Sequence, residues 1–135
     1  MLETKDCIFC KIVRQDVPCH KIYEDDFALV FLDAFPSMVG QVLVIPKTHF
    51  GGYAFGLKNN DYSRLLLISK RIARAMDRAL KPVKTGLVIE GIVVDHVHIK
   101  LFPLTKEGLI LKPILDPKPS ESEMEEICEK IKNAL

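Results

Sequence analysis

The alternation of apolar and polar residues divides this chain into segments with different periods. After a polar start, CIFCKIVRQDVP groups its apolar residues as a short helical turn that stops before Pro18. KIYED and FALVFLD follow as two β-rich runs, and Asp25 and Asp26 between them predict a hairpin. FPSMVG is a turn-rich connector. QVLVIPK is a near-continuous apolar run, expected to lie centrally in a sheet. FGGYAFGL, with its glycines and aromatics, reads as a loop. From about Asn60 to Lys81 the period changes: Leu65, Ile68, Ile72, Ala75, Met76 and Ala79 recur at spacings of three and four. Asn59, Asn60 and Asp61 supply a capping region for this helix, and Pro82 ends it. TGLVIEGIVV and HVHIKLF are two further strands. SESEMEEICEKIKNAL closes the chain as an amphipathic helix, with a Ser120/Glu123 capping box and a stripe of Met124, Ile127, Cys128 and Ile131. The pattern predicts an α+β fold, an antiparallel sheet of about five strands with one long helix packed on it, plus a C-terminal helix.

Composition narrows the class. A chain of 135 residues with 48% hydrophobic content is most simply one domain, residues 1–135, large enough for a real core. With 19 basic and 18 acidic residues the formal charge is +1, which offers no bulk field for nucleic acid or a membrane surface. No apolar run approaches the length that spans a bilayer, and the opening MLETKDC is too polar for a signal peptide. The expected location is cytoplasmic.

Candidate chemistry concentrates in VVDHVHIKLFP. In a strand, residues two apart share a face, so His96, His98 and Lys100 project together while Val97, Ile99 and Leu101 point the other way. A solvated outer face would explain one histidine there. Two of the chain's four histidines plus a lysine suit a phosphate ester better. A neutral imidazole can attack phosphorus, and a fixed ammonium can stabilise charge on the phosphate or leaving oxygens. A Walker-type phosphate loop is absent from the sequence, which argues against a P-loop kinase or ATPase. The pair Cys7-Ile-Phe-Cys10 has the spacing of half a zinc site or of a redox dithiol. Cys19 and Cys128 sit among apolar neighbours and read as small hydrophobes.

CIFCKIV, YEDDFALVFLD, GQVLVIPKTHF and HVHIKLFP, in this order and spacing, resemble the histidine triad (HIT) family over about residues 6–103, with 104–135 a C-terminal extension. The resemblance implies a homodimer that binds purine nucleotides. It also implies hydrolysis or transfer at the α-phosphate, of a nucleoside phosphoramidate or dinucleoside polyphosphate, through a nucleotidyl-histidine intermediate. His98 matches the nucleophile, and Asp33 the residue that holds the ribose hydroxyls. Ile8, Phe9, Ile12 and Phe31 match positions lining the base pocket. Zinc-bearing members use two N-terminal cysteines, the histidine after IPK-x and the first motif histidine. These are Cys7, Cys10, His49 and His96 here, which implies a structural zinc. His20 matches no motif position and reads as exposed or capping.

The chain departs from the family pattern at three places. The third motif histidine is Lys100, which keeps a positive charge but is a poor proton shuttle. Gln41 stands where many members place a phosphate-facing histidine; it can still hydrogen-bond a phosphate oxygen. The approach to the motif is shortened and lacks the usual asparagine and Gly-Gln, with Glu90, Gly91 and Asp95 in their place. Two carboxylates there repel an anionic substrate unless they turn away. The expectation is therefore a nucleotide hydrolase with His98, Lys100 and Gln41 at the phosphate. The alternative is a nucleotide-binding or scaffold dimer with little turnover.

Overall fold

The five strand-like runs pair into one antiparallel sheet in the computed structural model of the chain, which describes residues 4–109 and 114–135. A short helix, α1 (Ile8–Val13), precedes the hairpin of β1 (Lys21–Glu24) and β2 (Ala28–Leu32). The hairpin turn is held by Asp25, whose Oδ1 accepts from the backbone N–H groups of Phe27 and Ala28, both at 2.7 Å. An aspartate at this position bonds its own turn, which is why the Asp pair marked it in sequence. β3 (Val42–Pro46) lies between β2 and β5 (Ile99–Leu104), and β4 (Lys84–Val88) forms an edge, giving the order β1-β2-β3-β5-β4. β3 is buried throughout, as an unbroken apolar run requires of a central strand.

The two faces of the sheet carry different loads. On one, α2 (Asn59–Leu80) presses Leu65, Ile72, Ala75 and Met76 onto Val30, Val42, Val44, Ile99 and Leu101. The C-terminal helix α3 (Glu121–Asn133) joins this core through Met124, Cys128 and Ile131. Its capping box forms as the sequence predicts: Glu123 N–H donates to Ser120 Oγ at 3.2 Å, and Ser120 N–H donates to Glu123 Oε1 at 3.0 Å. On the other face, Leu29, Phe31, Leu43 and Ile45 pack under Phe9 of α1. Successive residues of β2 and β3 thus alternate between the helical core and the face that carries the candidate chemistry.

Three local expectations are corrected. α2 is capped at Lys58 with no side-chain cap bond, so Asn59, Asn60 and Asp61 lie inside the helix as its first turn. Asp61 there meets the positive end of the helix dipole instead of capping it. TGLVIEGIVV leaves the sheet after Val88, because the chain turns at Gly91 to cross the 51–52 loop. Gly91 has φ +66°, and a Cβ there would stand 2.0 Å from the Gly52 carbonyl oxygen, so only glycine fits. HVHIKLF joins the ladder only at Ile99, because Val97 N–H donates to the Gly51 carbonyl at 2.6 Å instead of to a strand. The alternation nevertheless holds through this segment: Val97, Ile99 and Leu101 all enter the helical core. No helix among the described residues is long and apolar enough to cross a membrane.

Ile72, wholly buried between α2 and the sheet, tests this packing. Ile72→Ala is expected to lower the urea-unfolding free energy by about 2–5 kcal/mol, a lost side chain plus the cavity it leaves. Lys70→Ala, on the exposed side of the same helix, should stay within about 0.5 kcal/mol.

Candidate metal centre and active site

His96 is fully buried, and both of its ring nitrogens have defined roles. Nε2–H donates to the Pro46 carbonyl at 2.9 Å, so Nδ1 carries the lone pair. That lone pair meets Cys7 Sγ at 3.4 Å, Cys10 Sγ at 3.6 Å and His49 Nδ1 at 3.2 Å, while Cys10 Sγ lies 3.3 Å from His49 Nδ1. Cys7 is the N-cap of α1 and its sulfur accepts from Cys10 N–H at 3.4 Å, so one helical turn converges both thiols. The four ligand atoms all lie within 4.8 Å of one another. These separations fit a metal. Tetrahedral bonds of about 2.0 Å to nitrogen and 2.3 Å to sulfur place ligand atoms about 3.3–3.8 Å apart. The His96 tautomer fits as well, since its second nitrogen is oriented by a backbone carbonyl, the usual support of a ligating imidazole. Burial, then Cys7, pushes the Cys10 thiol up to about 11; a divalent cation at this point reverses that preference. Cys7, Cys10, His49 and His96 thus form a cluster able to hold a metal ion.

His98 repeats the arrangement one step along. Its Nδ1–H donates to the His96 carbonyl at 2.7 Å, leaving the lone pair on Nε2. The residue is only 3% exposed. Among the described residues no buried side-chain nitrogen or oxygen lacks a partner, so the unbonded Nε2 is an atom that meets solvent. Burial holds the imidazole below its ordinary pKa; the bond to the His96 carbonyl opposes this and Lys100 adds to it. The ring is therefore neutral near pH 7, with the Nε2 lone pair unbonded. Phe9 stands edge-on to His98 with centroids 5.0 Å apart, and to His96 at 5.8 Å. Its position is beneath the two imidazoles, and it is not part of the cleft wall.

Asp33 and Gln41 form a bonded pair at the next strands. Gln41 Nε2 donates to Asp33 Oδ2 at 2.7 Å, and Gln41 Oε1 accepts from Ser37 N–H at 2.8 Å. Asp33 Oδ1 accepts from Phe35 N–H at 2.9 Å. Gln41, 3% exposed, has both ends of its amide engaged, whereas each Asp33 oxygen keeps a further lone pair. At the far side, Lys100 Nζ meets Glu90 Oε1 at 3.7 Å. The two carboxylates before the motif therefore part company. Asp95 packs on the 51–52 loop, where a Cβ on Gly52 would come 2.7 Å from its Oδ1, while Glu90 stays beside Lys100.

A cleft of about 240 Å³ reaches Leu32 and Ala34, on either side of Asp33, and its lining does not include Asp33, Gln41, His98 or Lys100. Of the four residues matched to a base pocket, Ile8, Ile12 and Phe31 line this cleft and Phe9 does not. Its outer wall comes from Lys118, Pro119 and Glu121, which the sequence reading left unassigned. His20, expected to be exposed or capping, is partly buried, lines the cleft and pairs with Glu121 Oε2 through Nε2 at 3.1 Å. No local signal links residues 101 positions apart; only the docking of α3 brings them together.

Comparison with known proteins agrees with this arrangement. The family model of the HIT domain matches residues 14–107. The adenosine 5'-monophosphoramidase of Schizosaccharomyces pombe is 35% identical over 133 residues, covering 93% of this chain and 98% of its own. An adenylylsulfatase of Arabidopsis thaliana is 38% identical over 103 residues, 73% of this chain and 52% of the relative. A zinc-bound histidine triad family protein from Mycobacterium smegmatis superposes with a TM-score of 0.82 at 28% identity, covering 98% of this chain and 94% of that one. With the domain match spanning both the hairpin and the histidine segment, the chain belongs to the HIT family.

Proposed function

We propose that this chain is a nucleotide hydrolase acting at the α-phosphate of a purine nucleoside phosphoramidate or related nucleotide, as a single HIT-like domain working in a cytoplasmic homodimer. The observation that carries the proposal is the state of His98: neutral, held through Nδ1 by the His96 carbonyl, with Nε2 unbonded and open to solvent. An imidazole so held is a nucleophile aimed by the backbone. The phosphoramidase and sulfatase names of the two relatives support the reaction class.

In the proposed reaction the base lies in the cleft lined by Ile8, Ile12 and Phe31, and the free lone pairs of Asp33 receive the ribose hydroxyls. Gln41, engaged with Asp33, acts as a positioning residue for that carboxylate; its bonds argue against the direct phosphate contact expected from sequence. The His98 Nε2 lone pair forms a bond to the α-phosphorus, and the bond from phosphorus to the leaving group breaks with its electron pair. A leaving amine takes up a proton from water. A second water then attacks phosphorus, giving the nucleoside monophosphate, returning neutral His98 and releasing a proton that neutralises the hydroxide left by the first water. Lys100 supplies positive charge beside the phosphate. Zinc would be held by Cys7, Cys10, His49 and His96. With all four positions filled by protein it is structural and ties α1 to the segment before β5.

Incubation with an adenosine phosphoramidate, followed by acid-free quench and intact-mass measurement, should reveal a nucleotidyl adduct. His98→Ala is expected to abolish the adduct and reduce turnover by about a thousandfold or more. Absence of both adduct and turnover, with nucleotide still raising the melting temperature, favours the scaffold reading instead; the Lys100–Glu90 pairing is the observation on its side. Metal analysis of protein purified without chelator should find about one zinc per chain. Cys7→Ser is expected to lose it and to lower the melting temperature by about 10 °C. A metal-free protein of full stability would refute the zinc assignment.

A further inference from the structure

The row of site residues runs in one direction across the sheet. Phe31 of β2, beside the cleft, comes first, then Leu43 of β3, then Lys100 of β5, then Val88 of β4. His98 shares Lys100's face, two residues earlier on the chain. A nucleotide with its base in the cleft and its α-phosphorus at His98 Nε2 therefore points its leaving group toward the β4 edge. Two charged side chains stand there. Lys100 pairs across the ladder with Val88, and Glu90, two residues beyond Val88, projects to the same face while Ile89 packs toward the helical core. Glu90 Oε1 lies 3.7 Å from Lys100 Nζ, and its side chain is half exposed, free to meet a ligand.

On this basis, and resting on the function proposed above, we propose that Glu90 is a specificity-determining residue that selects the leaving group by charge, admitting uncharged or cationic amines and rejecting anionic groups. A lone Lys100 attracts an anion leaving from phosphorus. With Glu90 3.7 Å away, the Lys100 ammonium still serves the phosphate, while the carboxylate on the leaving-group side repels sulfate or pyrophosphate at short range. An amine loses nothing, and an ammonium gains an acceptor. The two relatives differ in this respect: a phosphoramidase releases an amine or ammonia, and an adenylylsulfatase releases sulfate.

The test compares hydrolysis of adenosine 5'-phosphoramidate and adenosine 5'-phosphosulfate by the whole chain and by Glu90→Gln. The unmodified protein should favour the phosphoramidate. Glu90→Gln should raise kcat/KM for the phosphosulfate about tenfold, the weight of one nearby charge in partly screened surroundings, and change the phosphoramidate value little. Equal changes on both substrates, or no change in their ratio, would overturn the proposal while leaving the hydrolase reading intact. If neither substrate turns over, the hydrolase reading fails. The selector is then judged by affinity alone, in a His98→Ala background. Tighter phosphosulfate binding on adding Glu90→Gln upholds it; unchanged relative affinity refutes it.

Discussion

The hydrogen bond from His96 Nε2 to the Pro46 carbonyl is the contact on which the rest of the site depends. It is 2.9 Å long and buried, so neither partner can take water in exchange without cost. By fixing the tautomer it turns Nδ1 toward Cys7, Cys10 and His49. By fixing the backbone of residue 96 it also presents the carbonyl that His98 Nδ1–H bonds at 2.7 Å. One interaction thus bears on which ring nitrogen keeps its lone pair in both histidines. Both rings are further held by a single aromatic, Phe9, packed edge-on against them.

The sheet keeps these polar demands away from the core. Its helical face is closed by α2 and α3 with apolar residues from β2, β3 and β5. The opposite face is shared between a small apolar cluster under α1 and the histidine row. A half-buried polar face of this kind is stable only if its groups are bonded, and they are: among the described residues no buried side-chain nitrogen or oxygen is left without a partner. The same bonding organises the candidate site, because Gln41 is satisfied by holding Asp33 and the histidines by holding backbone carbonyls.

The places where this chain departs from the family pattern also fall on one physical theme, the balance of charge beside the histidine row. Exchanging the third histidine for Lys100 adds a permanent cation, and the shortened approach brings Glu90 to meet it. Asp95, the other carboxylate of that approach, is turned to the 51–52 loop. What reads in sequence as two repulsive charges is one ion pair on the site face and one residue lying against the 51–52 loop.

Much of the architecture was legible from periodicity alone. The near-continuous apolar runs FALVFLD and QVLVIPK, the period of three to four in α2, and the Ser120/Glu123 box each report a local rule, so the elements follow from neighbours in sequence. The motif residues were legible for the same reason, since residues two apart on an extended chain must share a side. Other features were decided by contacts between distant segments. Gly91 passing against Gly52 ends β4 early, and Val97 bonding Gly51 delays β5; neither is visible from TGLVIEGIVV or HVHIKLF. Phe9 and Ile8 look alike as apolar residues of one helical turn, yet only the packing of α1 buries the former beneath the imidazoles and leaves the latter in the cleft. Lys118, Pro119 and Glu121 reach that cleft only because α3 docks on the core. Sequence by itself determined which chemical groups exist and which face of their own element they occupy. Tertiary structure decided which of them meet, because hydrogen bonds and packing between segments a hundred residues apart leave no periodic trace in either one.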